Sequence, residues 1–461
     1  MNNTRIRSIV FVLGPLLGLV VGFVFSQLGM STAAASTAGI TFWVGMWWVF
    51  EPIPIPVTSL IPFVAFPIAG VLSNKEVSQA YGHWLILLLM GGFILSMSME
   101  KSGVHKRIAL GMIKIVGGTG PKRLILGVML ATALLSGWIS NTATTLMMLP
   151  VALALCNELP GPKSGRALLL GLAYSASIGG IATPIGTPPN VVLMGVYQET
   201  TQLNIGFVDW MVLGYPISLA LLLVSWLFLT RNVEPAKNTS VAIPKQAPID
   251  VYEKRVLIVF LFTALAWMTR AQPFGGWTGL LGLKGVGDDT VALGAVVVLF
   301  SIPNGKGSKL LDWETAVKIP WGLLLLFGGG IAIAKAFGAS GLSAAIGDSL
   351  QAVTHLPLLV MIGLICLSVT FLTEITSNTA TTTLLMPILA AAAIAADVDP
   401  LLLMVPAALS ASCAFMLPVA TAPNAIVFGT KRITTTEMAR QGVFLNLMGV
   451  VVITLGCVLL L

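Results

Sequence analysis

Two stretches, SNTATTLMMLP at 140–150 and SNTATTTLLMP at 377–387, place the same cluster of amide and hydroxyl side chains inside two of the most apolar parts of the chain. Asparagine, serine and threonine supply hard oxygen acceptors, and the amide and hydroxyls also donate. Where such a cluster joins two helix ends, carbonyls finishing one helix can coordinate a cation such as Na+. Amides starting the next can face an anion. Each cluster is followed by a second motif, PIGTPPN at 184–190 and PVATAPN at 418–424, whose prolines remove helix hydrogen bonds and free carbonyls. Ser136 and Thr373 stand five residues before Asn141 and Asn378; a hydroxyl there either joins an ion site or packs its helix. Neither motif contains Lys or Arg. A dianion taken from water needs compensating charge, since two unit charges 4 Å apart interact by about 4 kcal/mol at an effective dielectric of 20. Bound cations and helix N-termini must then supply it.

The surroundings of these motifs are those of a membrane protein. Of 461 residues, 56% are hydrophobic and 9% charged, and the mean hydropathy is +0.94, which predicts an all-α polytopic membrane protein in contact with a lipid bilayer. The formal charge of +7 comes from basic residues in short loops, which reads as topology signals and not as a nucleic-acid surface. Cys156, Cys366, Cys413 and Cys457 lie in apolar runs without CxxC spacing, as packing residues do. An intramembrane enzyme would need a catalytic dyad or metal cluster, and the sequence has no HExxH, no GxSxG and only three scattered histidines, His83, His105 and His355. Nineteen uncharged residues follow Arg7, longer than the apolar core of a usual signal peptide, so they predict a first transmembrane helix. Trp43, Trp47 and Trp48 are expected to anchor or pack a helix.

An internal repeat organises the rest. At a shift of 237 residues Trp84, Gly91 and Gly92 match Trp321, Gly328 and Gly329, and Ser140, Asn141 and Thr142 match Ser377, Asn378 and Thr379; at a shift of 234, PIGTPPN matches PVATAPN. The first SNT region, 124–157, runs 34 residues without a charge. One helix of that length would reach ~50 Å against a hydrocarbon core of ~30 Å, so a re-entrant hairpin with the SNT at its tip is predicted for each copy. Lys122, Arg123, Lys163 and Arg166 flank the first copy, whereas Asp348, Asp397 and Asp399 flank the second. By the positive-inside rule the hairpins enter from opposite faces, as in many inverted-repeat transporters.

Threading the chain under that constraint gives a cytoplasmic N-terminus, eleven transmembrane helices and two re-entrant hairpins. Lys106, Arg107, Lys114, Lys306, Lys309, Lys318, Lys431, Arg432 and Arg440 fall inside; Lys75, Arg270 and Lys284 are among the few left outside. The predicted units are an extra helix at 1–36, a first repeat at 37–230 (hairpin 122–160, broken helix 165–198), a cytoplasmic loop at 231–255, and a second repeat at 256–461 (hairpin 355–396, broken helix 400–428). Glu374 would add negative charge near the second motif, but its mate is Gly137, which weighs against direct ion ligation.

With these motifs the whole chain resembles the divalent anion:sodium symporter family of bacterial dicarboxylate transporters. The paired SNT motifs carry the resemblance, together with SCAFMLPVATAPNAIV at 412–427, which fits the family's signature. The resemblance implies one Na+ site near Ser136, Ser140, Asn141 and Gly186, and a second near Thr373, Thr376, Asn378 and Ala420. A C4 dicarboxylate such as succinate would lie between them against Ser140, Asn141, Thr142, Thr187, Ser377, Asn378, Thr379 and Thr421. It further implies Na+ as coupling ion, a homodimer with a moving transport part, and a bacterial inner (cytoplasmic) membrane location. Citrate or another divalent anion, and Na+-independent exchange, remain open alternatives. Pro188 corresponds to Ala422, and Ile139 to Thr376, so the two sites need not be equivalent.

Overall fold

The computed structural model describes residues 2–117, 120–234, 247–271, 275–283, 285–349 and 357–461. Lys284, His355, the start of the second predicted hairpin and 235–246 of the 231–255 loop lie outside the described residues, as does the Asp348 side chain. The fold is all-α: among the described residues the only β pairing is a single bridge between Pro303 and Lys309. Among the described residues seven stretches are long and apolar enough to cross a membrane, including Thr32–Phe50, Phe207–Thr230, Trp321–Ser340 and Thr435–Leu460. Asn378–Ala395 is also among them, although the sequence places it in a hairpin arm. The other crossings expected from the sequence fall on shorter or interrupted helices, such as Leu401–Ala411 and Asp288–Ser301.

The first two helices, Asn2–Gln27 and Thr32–Phe50, pack through glycines. A Cβ on Gly18 would stand 2.7 Å from the Gly39 carbonyl oxygen, the small-residue approach that membrane helices favour. Trp47 donates to the Val10 carbonyl at 3.2 Å and stacks on Phe11, while Trp48 donates to Ser59 at 3.0 Å. These tryptophans therefore pack helices, as expected. Ala35, in the small-residue stretch before them, offers its carbonyl to the face of Gly22.

Each SNT motif joins two helices. Pro121–Ser136 leads through 137–140 into Asn141–Glu158, and Leu358–Leu372 leads through 373–377 into Asn378–Ala395. Both following helices start on the motif's Asn and run 18 residues. Each proline motif separates two further helices: Gly161–Gly180 from Pro188–Thr201, and Leu401–Ala411 from Ala422–Phe428. One boundary differs from the sequence reading. The helix Val251–Met268 begins inside the segment read as loop, because Asp250 and Glu253 form a capping box there and Glu253 also pairs with Arg107 at 2.7 Å.

Candidate functional site

The two helix junctions and the two unwound stretches meet around one cavity of about 450 Å³, within the usual range for a small-molecule site. Ser140, Asn141, Thr142, Gly186 and Thr187 line it from the first half, and Thr376, Ser377, Asn378, Thr379, Ala420 and Thr421 from the second. The remaining two predicted site residues, Ser136 and Thr373, do not reach the cavity wall. They are fully buried behind their asparagines.

The same polar linkage recurs in both halves. Ser136 Oγ lies 2.6 Å from the Asn141 amide and 2.6 Å from the Ala176 carbonyl oxygen. Thr373 Oγ1 lies 2.5 Å from the Asn378 amide and 3.0 Å from the Ala411 carbonyl oxygen. A hydroxyl has one proton, so Ser136 and Thr373 each share theirs between a backbone carbonyl oxygen and the Oδ1 of the asparagine. Each hydroxyl thus ties an SNT junction to a broken helix and orients an Asn oxygen.

Around the first junction, backbone carbonyls converge. A Cβ on Gly186 would lie 2.5 Å from the Gly180 oxygen and 3.1 Å from the Gly137 oxygen, and one on Gly180 would lie 2.6 Å from Asn141 Oδ1 and 3.1 Å from the Gly186 oxygen. Only glycine fits at 186, and the resulting cluster of carbonyl and amide oxygens has the hard-donor chemistry of a Na+ site. Asn190 Nδ2 holds the unwound stretch by donating to the carbonyls of Gly180 (3.1 Å) and Thr183 (2.7 Å), and the Thr183 hydroxyl donates to the Gly137 carbonyl. Trp138, inside the junction, stacks on Phe207 and Trp267 and meets Phe260 edge-on, with ring centroids 5.4 to 6.3 Å away.

The second junction carries the same Ser-Asn-Thr sequence on a different support. Asn424, the counterpart of Asn190, donates to the Ala414 and Leu417 carbonyls, each at 3.0 Å. The hydroxyl of Thr376 lies 2.8 Å from the Leu372 carbonyl oxygen and 2.6 Å from Thr381 Oγ1. The Glu374 carboxylate is turned onto the backbone. Its Oε1 accepts from the Phe415 and Met416 amides at 2.7 and 2.9 Å and from Asn446 Nδ2 at 2.7 Å, and its Oε2 from the Leu417 amide at 3.0 Å. Ile375 and Val419, which correspond to Trp138 and Ile185, are 74% and 84% exposed.

The first turns of Asn141–Glu158, Pro188–Thr201 and Asn378–Ala395 all line the cavity, so three helix dipoles present positive ends to it. Among the described residues no Lys or Arg lines the cavity, and the charged lining residues are Glu51 and Glu374. The sequence motifs do not reveal the part of the wall made by Val49, Glu51, Phe93, Pro320 and Leu323. These residues stand outside both motifs, and only the glycine-rich match of 84–92 to 321–329 points toward their helices.

A family model described as "Citrate transporter" matches residues 45–405. The "Sodium-dependent dicarboxylate transporter SdcS" of Staphylococcus saprophyticus is 41% identical over 467 residues, covering 96% of this chain and 89% of that protein. The protein of the same name from Staphylococcus aureus strain USA300 is 38% identical over 468 residues, with the same coverage of 96% and 89%. Among solved structures, the YdaH transporter of Alcanivorax borkumensis aligns with a TM-score of 0.59 at 12% identity, covering 84% of this chain and 86% of that one. MtrF of Neisseria gonorrhoeae aligns at 0.58 and 14%, covering 83% of each. At such identities the structural likeness carries the fold alone, that of a multi-pass membrane transporter. The sequence relatives and the matched model carry the rest: this chain belongs to the divalent anion:sodium symporter family, within the reach of the citrate transporter model.

Proposed function

We propose that the protein is a secondary transporter that couples inward Na+ movement to uptake of a C4 dicarboxylate such as succinate. The observation that carries this reading is the single cavity in which both SNT junctions and both proline-broken stretches meet with no basic residue in the wall. A dianion there requires Na+ ions and helix N-termini as counter-charge. Na+ binds first, near Ser136, Ser140, Asn141 and Gly186 and near Thr373, Thr376, Asn378 and Ala420, and orders the two tips. The dicarboxylate follows, against Ser140, Asn141, Thr142, Thr187, Ser377, Asn378, Thr379 and Thr421. Both relatives named above are sodium-dependent dicarboxylate transporters by name, which supports the ion and the substrate class.

The protein would reside in the bacterial inner membrane with its N-terminus in the cytoplasm, as a homodimer whose transport part moves against a scaffold. In that topology the ends of helices bearing Glu51 and Pro320, which border the cavity, face the cytoplasm. More than two Na+ per dianion makes transport electrogenic, each extra charge being worth about 2.3 kcal/mol per 100 mV; uptake indifferent to membrane potential would reject that stoichiometry. The deciding experiment is uptake of labelled succinate into proteoliposomes with and without a Na+ gradient. Replacing Na+ by choline should reduce uptake to background, and unchanged uptake would establish exchange instead. Citrate is the second substrate to test by competition, because the matching family model is described as a citrate transporter.

A further inference from the structure

Among the described residues two carboxylates are buried, Asp288 at 2% exposure and Glu374 at 3%. Asp288 has a cation beside it, Arg270 at 2.5 Å. Glu374 has no basic partner. It is held by three backbone N–H groups from 415–417 and the Asn446 amide. A buried charge without a counter-charge is costly even when hydrogen-bonded, so the protein places a net negative charge beside the second SNT junction and leaves its compensation to something else. That charge sits next to Thr373 and two residues before Thr376. The backbone it holds leads, three residues on, to Ala420.

We propose that Glu374 is a positioning residue for the second Na+ of the cycle. Through the amides of Phe415, Met416 and Leu417 it fixes the unwound stretch that presents the Ala420 carbonyl, and its charge makes the second half-site the stronger cation site. The first half-site has Gly137 at the corresponding position and braces its unwound stretch with the neutral Thr183 hydroxyl. Glu374 acts through the backbone and its field rather than as a ligand. This rests on the Na+-coupled reading above and deepens it: the two Na+ sites differ in affinity, and the acid sets the difference.

The test titrates Na+, at constant ionic strength with choline, against the thermal unfolding of the purified full-length protein, in wild type and in Glu374→Gln. The same titration is read in succinate uptake by proteoliposomes. Removing one nearby charge should raise half-saturating Na+ by about tenfold in both assays, while the succinate half-saturation at saturating Na+ stays within about twofold. A merely structural role would lower stability at every Na+ concentration without moving the midpoint. A folded Glu374→Gln protein with the wild-type Na+ midpoint overturns the proposal. Should that variant fail to give a monodisperse protein, Asn446→Ala decides, since it frees Oε1 from one donor and keeps the charge. Its Na+ midpoint should shift about threefold, and an unshifted midpoint overturns the assignment. Wild-type protein that gains no stability from Na+ would instead overturn the coupling itself.

Discussion

The two SNT junctions share their Ser-Asn-Thr sequence and differ in what stands behind it. Behind the first, Trp138 packs against three aromatic rings, the Thr183 hydroxyl donates to the Gly137 carbonyl, and the carbonyls crowd so closely that position 186 must be glycine. Behind the second, Ile375 and Val419 stand bare, alanine occupies position 420, and a buried carboxylate clamps the backbone. One site is held by packing and the other by charge. A duplicated motif thus keeps its polar side chains at the cavity and lets their means of support diverge.

The comparison breaks most visibly at the shared residues. Asn141→Ala and Asn378→Ala should each bring Na+-dependent succinate uptake to background with expression intact; retained transport in either would remove that half from the site. Next comes the contrast at the unwound stretches. Gly186→Ala forces a Cβ against two carbonyl oxygens and should lower uptake about tenfold or more, at an overpacking cost of about 1–3 kcal/mol. Ala420→Gly should stay within about twofold of wild type. Equal effects would show that the first site is no tighter than the second.

A smaller effect is expected where the halves are alike. Ser136→Ala and Thr373→Val each remove a hydroxyl bridging an Asn and a broken helix, worth about 1 kcal/mol. Each should raise half-saturating Na+ roughly fivefold, and a large inequality would locate further asymmetry in the bridges themselves. The smallest difference lies in the caps. Ser140 accepts from the Ala143 amide at 3.2 Å, whereas Ser377 makes no side-chain cap bond. Ser140→Ala should therefore lower the Tm by about 1–2 °C, and Ser377→Ala should leave it unchanged.

The cavity-lining motif residues are legible in the sequence because most of them repeat. Asn141 and Asn378 begin helices of equal length, and the proline motifs fall where the helices break. What supports them is not legible, because support comes from contacts distant along the chain. Trp138 meets Trp267, Glu374 reaches an unwound stretch 41 residues away, and Glu51 joins the wall from a helix with no polar motif. The glycine opposite Glu374 in the repeat argues against an ion ligand, and the carboxylate's four N–H partners give the physical reason. The start of Val251–Met268 is displaced from its expected position by a capping box, a local signal that yields to hydropathy when only apolar runs are read.

The aromatic stack at Trp138 has a bearing on timing as well as on binding. If the first junction moves against Val251–Met268 during transport, its indole must part from Trp267 and Phe260, and each such pair resists by about 0.5–1.5 kcal/mol. Among the described residues no ring pairs with Ile375 at the second junction, where it is exposed. On such a movement the stack would act as a latch in the activation barrier, resisting release of the first junction while the second is unrestrained.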